Sequence, residues 1–372
     1  MTALLVLAVL GLGFANGAND NFKGVATLYG SRSLGYRAAL AWATASTLAG
    51  SLTALLLSEG LVERFSGKGL VADQVLADPA FLLAVAMGAA AAVLLATRFG
   101  FPISTTHALT GGLVGAGMVL AGPANLGYAT LGGSFVLPLL LSPFVALALA
   151  AGLYAALHSA RVAAGISEET CVCIGGVEQA AAYVSGAGTV RLASGITLAV
   201  DSVERCERRY RGALFGVPAQ SLLDRAHLAT AGAVGFARGL NDTPKMVALL
   251  VGAGALGAGA GMSTTAVVMA IGGVLAARRV AETVSFGITP LNHGQGFTAN
   301  LVTAALVTLA SPLGLPVSTT HVSCGALFGI GAATGEARWK AVAHILAAWV
   351  TTLPVAAAIS ALAAAAAGAL YS

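Results

Sequence analysis

Apolar residues run through this chain in long blocks, interrupted at matched places by short polar motifs. The apolar segments lie near 1–31, 36–58, 80–98, 100–121, 131–158, 226–257, 262–277, 283–311, 313–333 and 341–370. A membrane-spanning helix needs about 20 apolar residues, and several of these blocks exceed that length. With short connections, the flanks of the chain predict on the order of eleven crossings or re-entrant pieces. The stretch 161–225 reads differently. Cys171–Ile174 and Thr189–Leu192 carry strand-forming residues, with Gly175-Gly176 and Ser194-Gly195 as expected turns.

Composition explains why lipid must be the main solvent. Of 372 residues, 57% are hydrophobic and 9% charged, with mean hydropathy +0.86. A soluble domain carries roughly 25% charged residues. The 48 glycines stand within apolar runs, where they permit close helix packing. The charges are concentrated: 161–225 holds seven Arg and seven acidic residues of 34 charged in all. The expected division is a membrane repeat over 1–160, a cytoplasmic central subdomain over 161–225, and a second membrane repeat over 226–372. A net charge of +4 without a basic tract excludes nucleic acid as a partner. Cys171, Cys173 and Cys206 lack zinc-site spacing, so reduced thiols are expected. The first apolar run has no basic start, so it reads as a span and not as a leader.

Two motifs recur. Gly13-Phe14-Ala15-Asn16-Gly17-Ala18-Asn19-Asp20-Asn21-Phe22-Lys23 matches Gly235 to Lys245 at an offset of 222. Phe101-Pro102-Ile103-Ser104-Thr105-Thr106-His107 matches Leu315 to His321 at an offset of 214. Two polar motifs in the same order mean two homologous halves. Matching interruptions in two apolar halves point to the midplane site of a secondary transporter. Proline before three hydroxyls predicts a helix start, whose free N–H groups and hydroxyls suit an oxyanion. Ser104, Thr105, Thr106, Ser318, Thr319 and Thr320 are therefore expected to bind substrate, with Asn19 and Asn241. Asp20 and Asp242 are costly in a membrane and, with Lys23 and Lys245, are assigned to coupling. His107 and His321 are expected to orient their loops.

These motifs, with Arg278-Arg279-Val280-Ala281-Glu282-Thr283 and Trp349-Val350-Thr351-Thr352-Leu353-Pro354, resemble the inorganic phosphate transporter (PiT) family. The resemblance implies an all-α integral membrane protein of two inverted repeats, with broken helices and re-entrant hairpins and a small insert of some β character. It also implies anion binding at the Ser-Thr-Thr tips, and coupling to sodium or protons through the Asn-Asp segments. The family pattern is Asn-Asp-x-x-Asn, whereas Lys23 and Lys245 take the last position here. Each lysine lies three residues after an aspartate, on the same helix face. The expected function is a phosphate symporter of the cell (inner) membrane, with the N-terminus outside and no cofactor. Its coupling ion is expected to be a proton, with sodium on Asn19, Asp20, Asn241 and Asp242 as the alternative. Sulfate is the alternative substrate. Membrane lipid is the expected surrounding, and a homodimer is compatible with the sequence. A Ser104–His107 hydrolase would have no need of the same constellation twice, so no enzyme activity is expected.

Overall fold

The computed structural model describes residues 1–76, 78–167, 169–178, 194–202, 205 and 214–371. The principal helices are α1 (Thr2–Asp20), α2 (Tyr36–Leu57), α3 (Pro79–Arg98), α4 (Thr105–Leu120), α5 (Leu137–Ala163), α6 (Ala219–Gly252), α7 (Ala258–Ala276), α8 (Arg278–Glu282), α9 (His293–Ala310), α10 (Thr319–Thr334) and α11 (Trp339–Tyr371). Among the described residues, six helical stretches are long and apolar enough to cross a membrane: Thr2–Asp20, Tyr36–Leu57, Pro79–Arg98, Tyr128–Ala163, Ala258–Ala276 and Trp339–Ala369. The chain is thus a multi-pass membrane protein, with fewer full spans than the ten apolar blocks suggest. For two of the four remaining blocks the reason is length. At 16 residues each, α4 and α10 reach about 24 Å, short of a bilayer core of about 30 Å.

The order of elements repeats. The pair α3 and α4, joined through Phe99–Ser104, recurs as α9 and α10. Both short helices start on a serine N-cap of nearly the same backbone geometry, φ −98° for Ser104 and −99° for Ser318. Each serine oxygen accepts from the N–H of the histidine three residues on, at 3.1 Å in the first half and 3.2 Å in the second. This is standard N-cap chemistry, and it explains why the polar triplet starts a helix in both halves.

Matched glycines bring the halves together. Gly17 on α1 packs against the carbonyl of Met269 on α7, so a Cβ there would strike backbone. Gly239 on α6 packs in the same way against the carbonyl of Thr47 on α2. The offset of 222 relates both members of these pairs. Each Asn-Asp helix therefore crosses a helix of the opposite half, and only glycine allows that approach.

The Asn-Asp segments differ in one respect from expectation. In the first half the helix ends: α1 stops at Asp20, and a turn leads to the short helix Ala26–Gly30. In the second half α6 runs through Asn241-Asp242 unbroken, with Pro244 inside it. Pro244 supplies no N–H to the carbonyl of Leu240. That carbonyl instead accepts from the Ser58 hydroxyl at 3.0 Å, which removes the reason for the helix to break.

Met1–Tyr154 and His227–Ser372 form one compact unit, and Ala155–Ala226 a second. In the second unit β1 (Thr170–Glu178) is flanked by β2 (Ser194–Ser202) and β3 (Leu214–Pro218), all antiparallel. Gly175 and Gly176 are not a turn: they sit inside β1, paired with Thr197 and Ile196 of β2. Support from strands on both sides holds Gly175 extended despite its weak strand preference. Ser194-Gly195 opens β2, and Thr189–Leu192 lies outside the described residues. Cys171 is free. Cys173 is disulfide-bonded, not reduced as expected. Linear spacing does not reveal such a pairing, because a disulfide depends on the spatial approach of two Cβ atoms.

Candidate functional site

The four tips of the repeated motifs meet in one buried network. Lys23, just past the end of α1, is placed so that its ammonium is ringed by oxygens. It donates to Asn19 Oδ1 at 2.9 Å, the Ile103 carbonyl at 2.8 Å and Thr320 Oγ1 at 2.6 Å, and it pairs with Asp20 Oδ1. Three of these oxygens come from the first half and one from the second. Thr320 Oγ1 donates in turn to the Ile103 carbonyl at 2.8 Å.

The second half repeats the arrangement. Lys245 Nζ donates to the Val317 carbonyl at 2.7 Å and to Thr106 Oγ1 at 2.8 Å, and stands 3.5 Å from Asp242 Oδ1. Thr106 Oγ1 donates to the Val317 carbonyl at 3.4 Å. So each lysine holds a carbonyl of its own half and a threonine of the other. Lys245 also lies 5.7 Å from the centre of the Phe65 ring, a favourable placement for a cation.

The other predicted residues complete the network. Thr105 Oγ1 donates to Asp20 Oδ2 at 3.0 Å, and Asn241 Nδ2 donates to Thr319 Oγ1 at 3.2 Å. Asn19 Nδ2 donates to Thr97 Oγ1 at 2.8 Å, and Asn19 Oδ1 accepts from the Ile103 N–H at 3.1 Å. In the second half Asn241 Oδ1 accepts from Ser311 at 3.4 Å. Ser104 and Ser318 stand apart from the lysines and serve as helix caps. The two histidines meet ring to ring, with centroids 4.3 Å apart. His321 stacks on Trp349 at 3.8 Å, and Trp349 Nε1 donates to the Pro102 carbonyl at 3.0 Å. Helix α11 thereby braces the first Ser-Thr-Thr tip.

Two residues at the centre were not singled out from the sequence. Arg238 and Asn16 are equivalent positions in the repeat, and they touch. Arg238 Nη2 donates to Asn16 Oδ1 at 2.5 Å and to the Asn16 carbonyl at 3.3 Å. Its Nη1 donates to Asn21 Oδ1 at 3.1 Å and Thr47 Oγ1 at 3.2 Å. Its Nε stands 3.8 Å from Asp242 Oδ2. Asn16 Nδ2 donates to Asp20 Oδ2 at 2.8 Å, Thr105 Oγ1 at 3.0 Å and Asp242 Oδ2 at 3.3 Å. One amide nitrogen thus bridges both carboxylates. The available signal was an arginine inside an apolar run, within a block already seen to repeat.

The charge of the site follows from these contacts. Asp20, Asp242, Lys23, Lys245 and Arg238 are each at most 4% exposed, so the charges are desolvated. Two carboxylates face three cations, and the protonated network carries a net charge of +1. The two Asp–Lys pairs alone sum to zero, and Arg238 supplies the excess. A buried positive excess is costly unless an anion joins it. This network can therefore bind an anion, and it can carry protons on groups that already share them.

Comparison with known proteins gives the family. The phosphate transporter family model matches residues 16–360. A Pyrococcus abyssi protein named as a phosphate permease is 31% identical, covering 96% of each chain. A Rhizobium meliloti protein named as a low-affinity inorganic phosphate transporter is 29% identical, over 96% of this chain and 94% of its own. A solved structure named "The sodium-dependent phosphate transporter" shares the fold, with TM-score 0.75 over 99% of each chain at 21% identity. With its duplicated motifs meeting at one buried site and a family match from Asn16 to Ser360, the chain belongs to the phosphate transporter family.

Proposed function

We propose that this chain is a symporter of inorganic phosphate in which two tethered lysine ammoniums take the place of coupling sodium ions. One observation carries the reading: the Lys23 ammonium has four oxygen partners, from Asn19, Asp20, Ile103 and Thr320, as a small cation would. A tethered cation is not transported, so the coupling ion is a proton held in the Asp–Lys network. The relatives' names support phosphate as the substrate. A structural neighbour 21% identical to this chain is named for sodium, and that name describes the neighbour. The test is phosphate uptake into proteoliposomes at fixed pH and voltage, with sodium replaced by choline. Uptake is expected to persist; a steep loss would sink the sodium-independent reading.

The hydroxyls of the tips are the proposed anion donors. On binding, Thr105 and Thr319 would turn from their internal partners to the anion. Each charge-assisted hydrogen bond lost costs roughly 1.5–3 kcal/mol. The double substitution Thr105→Val and Thr319→Val keeps the side-chain shape. It is expected to raise the apparent KM for phosphate by on the order of a hundredfold or more. An unchanged KM would place the anion elsewhere.

Sulfate is favoured by a separate observation. Both carboxylates are engaged by internal donors: Asp20 by Lys23, Asn16 and Thr105, and Asp242 by Lys245, Asn241 and Asn16. Phosphate at neutral pH keeps a proton and gains from a free acceptor, whereas sulfate does not need one. Competition between the two anions in the same uptake assay decides between them. The positive-inside rule gives the proposed orientation in the cell membrane. Arg278 and Arg279 face the cytoplasm, the N-terminus lies outside, and the second half starts inside as an inverted repeat requires.

A further inference from the structure

Beside the buried network lies a cavity of about 610 Å³, lined in part by Ala18, Thr97, Arg98, Arg278, Arg279 and Glu282. It sits where the end of α3 meets the junction of α7 and α8. Its charges are unbalanced, with three guanidiniums against one carboxylate. Glu282 is already taken, since it accepts from Arg278 Nε at 3.1 Å. Arg279 Nη1 donates to the Arg98 carbonyl at 2.6 Å, a neutral partner that pins its side chain and leaves its charge uncompensated. The Arg98 guanidinium has no hydrogen bond or ion pair to any described residue. Interaction with the α3 C-terminus accounts for one arginine there. It does not account for three cations on one cavity wall.

The floor of the cavity is wired to the buried site. Thr97 lines the cavity, and its hydroxyl accepts from Asn19 Nδ2 at 2.8 Å. Asn19 Oδ1 accepts from Lys23 Nζ at 2.9 Å. Two hydrogen bonds therefore separate Thr97, on the cavity lining, from the Lys23 ammonium. Ala18, also on the floor, is the residue immediately before Asn19.

We infer that this cavity is a second anion site, a vestibule in which Arg98 and Arg279 hold a phosphate group outside the buried network. Guanidiniums recognise phosphate oxygens in pairs, and two with uncompensated charge meet that requirement. The group comes from free inorganic phosphate or from a lipid headgroup, because exposed Leu94 and Leu275 also line the cavity. A basic cleft raises the local concentration of its anion, so free phosphate held here would shorten the path to or from Asn19. The vestibule is separate from the threonine tips, so it stands or falls independently of the transport reading.

The experiment uses the full chain in a maltoside detergent, which brings no phosphate group. Phenylglyoxal modification of Arg98 and Arg279 is followed by peptide mass spectrometry, with exposed Arg37 as the internal reference. Inorganic phosphate is compared with chloride at equal ionic strength, and separately with phosphatidylglycerol in mixed micelles. Slowing at Arg98 and Arg279 by about threefold or more, with Arg37 unchanged, is expected for one of the two sources. Protection by phosphate ions assigns free phosphate, and protection by the lipid alone assigns a headgroup. The same protection should survive in the chain carrying Thr105→Val and Thr319→Val. Equal slowing at Arg37, no protection by either source, or loss of protection in that variant would overturn a separate vestibule.

Discussion

Replacing both Lys23 and Lys245 with asparagine is expected to make uptake depend on sodium. The substitution restores the Asn-Asp-x-x-Asn pattern of the family in both halves. It also changes the charge of the buried network from +1 to −1, since Asp20, Asp242 and Arg238 remain. An anion cannot approach a negative site in a medium of low dielectric without cations to offset it. The vacated oxygens of Asn19, Asp20, the Ile103 carbonyl and Thr320 would then form a cation site. Proteoliposome uptake should rise by on the order of tenfold or more with sodium over choline in the double variant, against no response in the parent chain. A variant that folds and transports equally in both salts would show that the ammoniums do not replace sodium. Changing Lys23 alone to methionine tests the ion pair itself. Breaking a buried pair by removing one partner costs about 3–5 kcal/mol, so this variant should lose thermal stability. Adding Asp20→Asn should restore much of that stability, because no carboxylate is left without its lysine.

The second large effect is expected at Arg238. Arg238→Met keeps the volume roughly but removes four hydrogen bonds to Asn16, Asn21 and Thr47, and one cation. Hydrogen bonds to a charged group contribute about 1.5–3 kcal/mol each, and acceptors left bare in a membrane cost more than exposed ones. The melting temperature in detergent should therefore fall strongly. The buried network would drop from +1 to zero, so phosphate affinity in any protein that folds should fall as well. Arg238→Lys separates the two contributions. It keeps the charge, but an ammonium cannot reproduce the planar fork that holds Asn16 and Asn21 together. Affinity should recover more than stability in that variant. If Arg238→Met leaves both the melting temperature and the KM unchanged, the positive excess is not what draws the anion.

Membrane class, the two-half organisation and the identity of the polar tips were legible in the chain. Each rests on a local or periodic property. Long apolar blocks exclude water whatever they pack against, and a motif copied at an offset of 222 or 214 shows in one dimension. The Ser-Thr-Thr triplets start helices because a serine cap needs only the backbone three residues on. Lys23 and Lys245 stood out for the same reason, as charges in apolar text beside an aspartate.

What the tertiary structure decided is where local rules compete with distant partners. Proline inside a helix ordinarily bends or ends it, yet α6 continues through Pro244, and Ser58, far earlier in the chain, satisfies the Leu240 carbonyl. Gly175-Gly176 reads as a turn, yet flanking strands hold it in a ladder. The two Asp–Lys pairs alone balance to zero, and Arg238 makes the site positive by reaching Asn16 of the other half as well as Asp242 on its own helix. Linear sequence carries the charges and the spacing. Folding determines which charges share a dielectric, because electrostatic and hydrogen-bond energies depend on distances of a few ångströms that the order of residues does not encode.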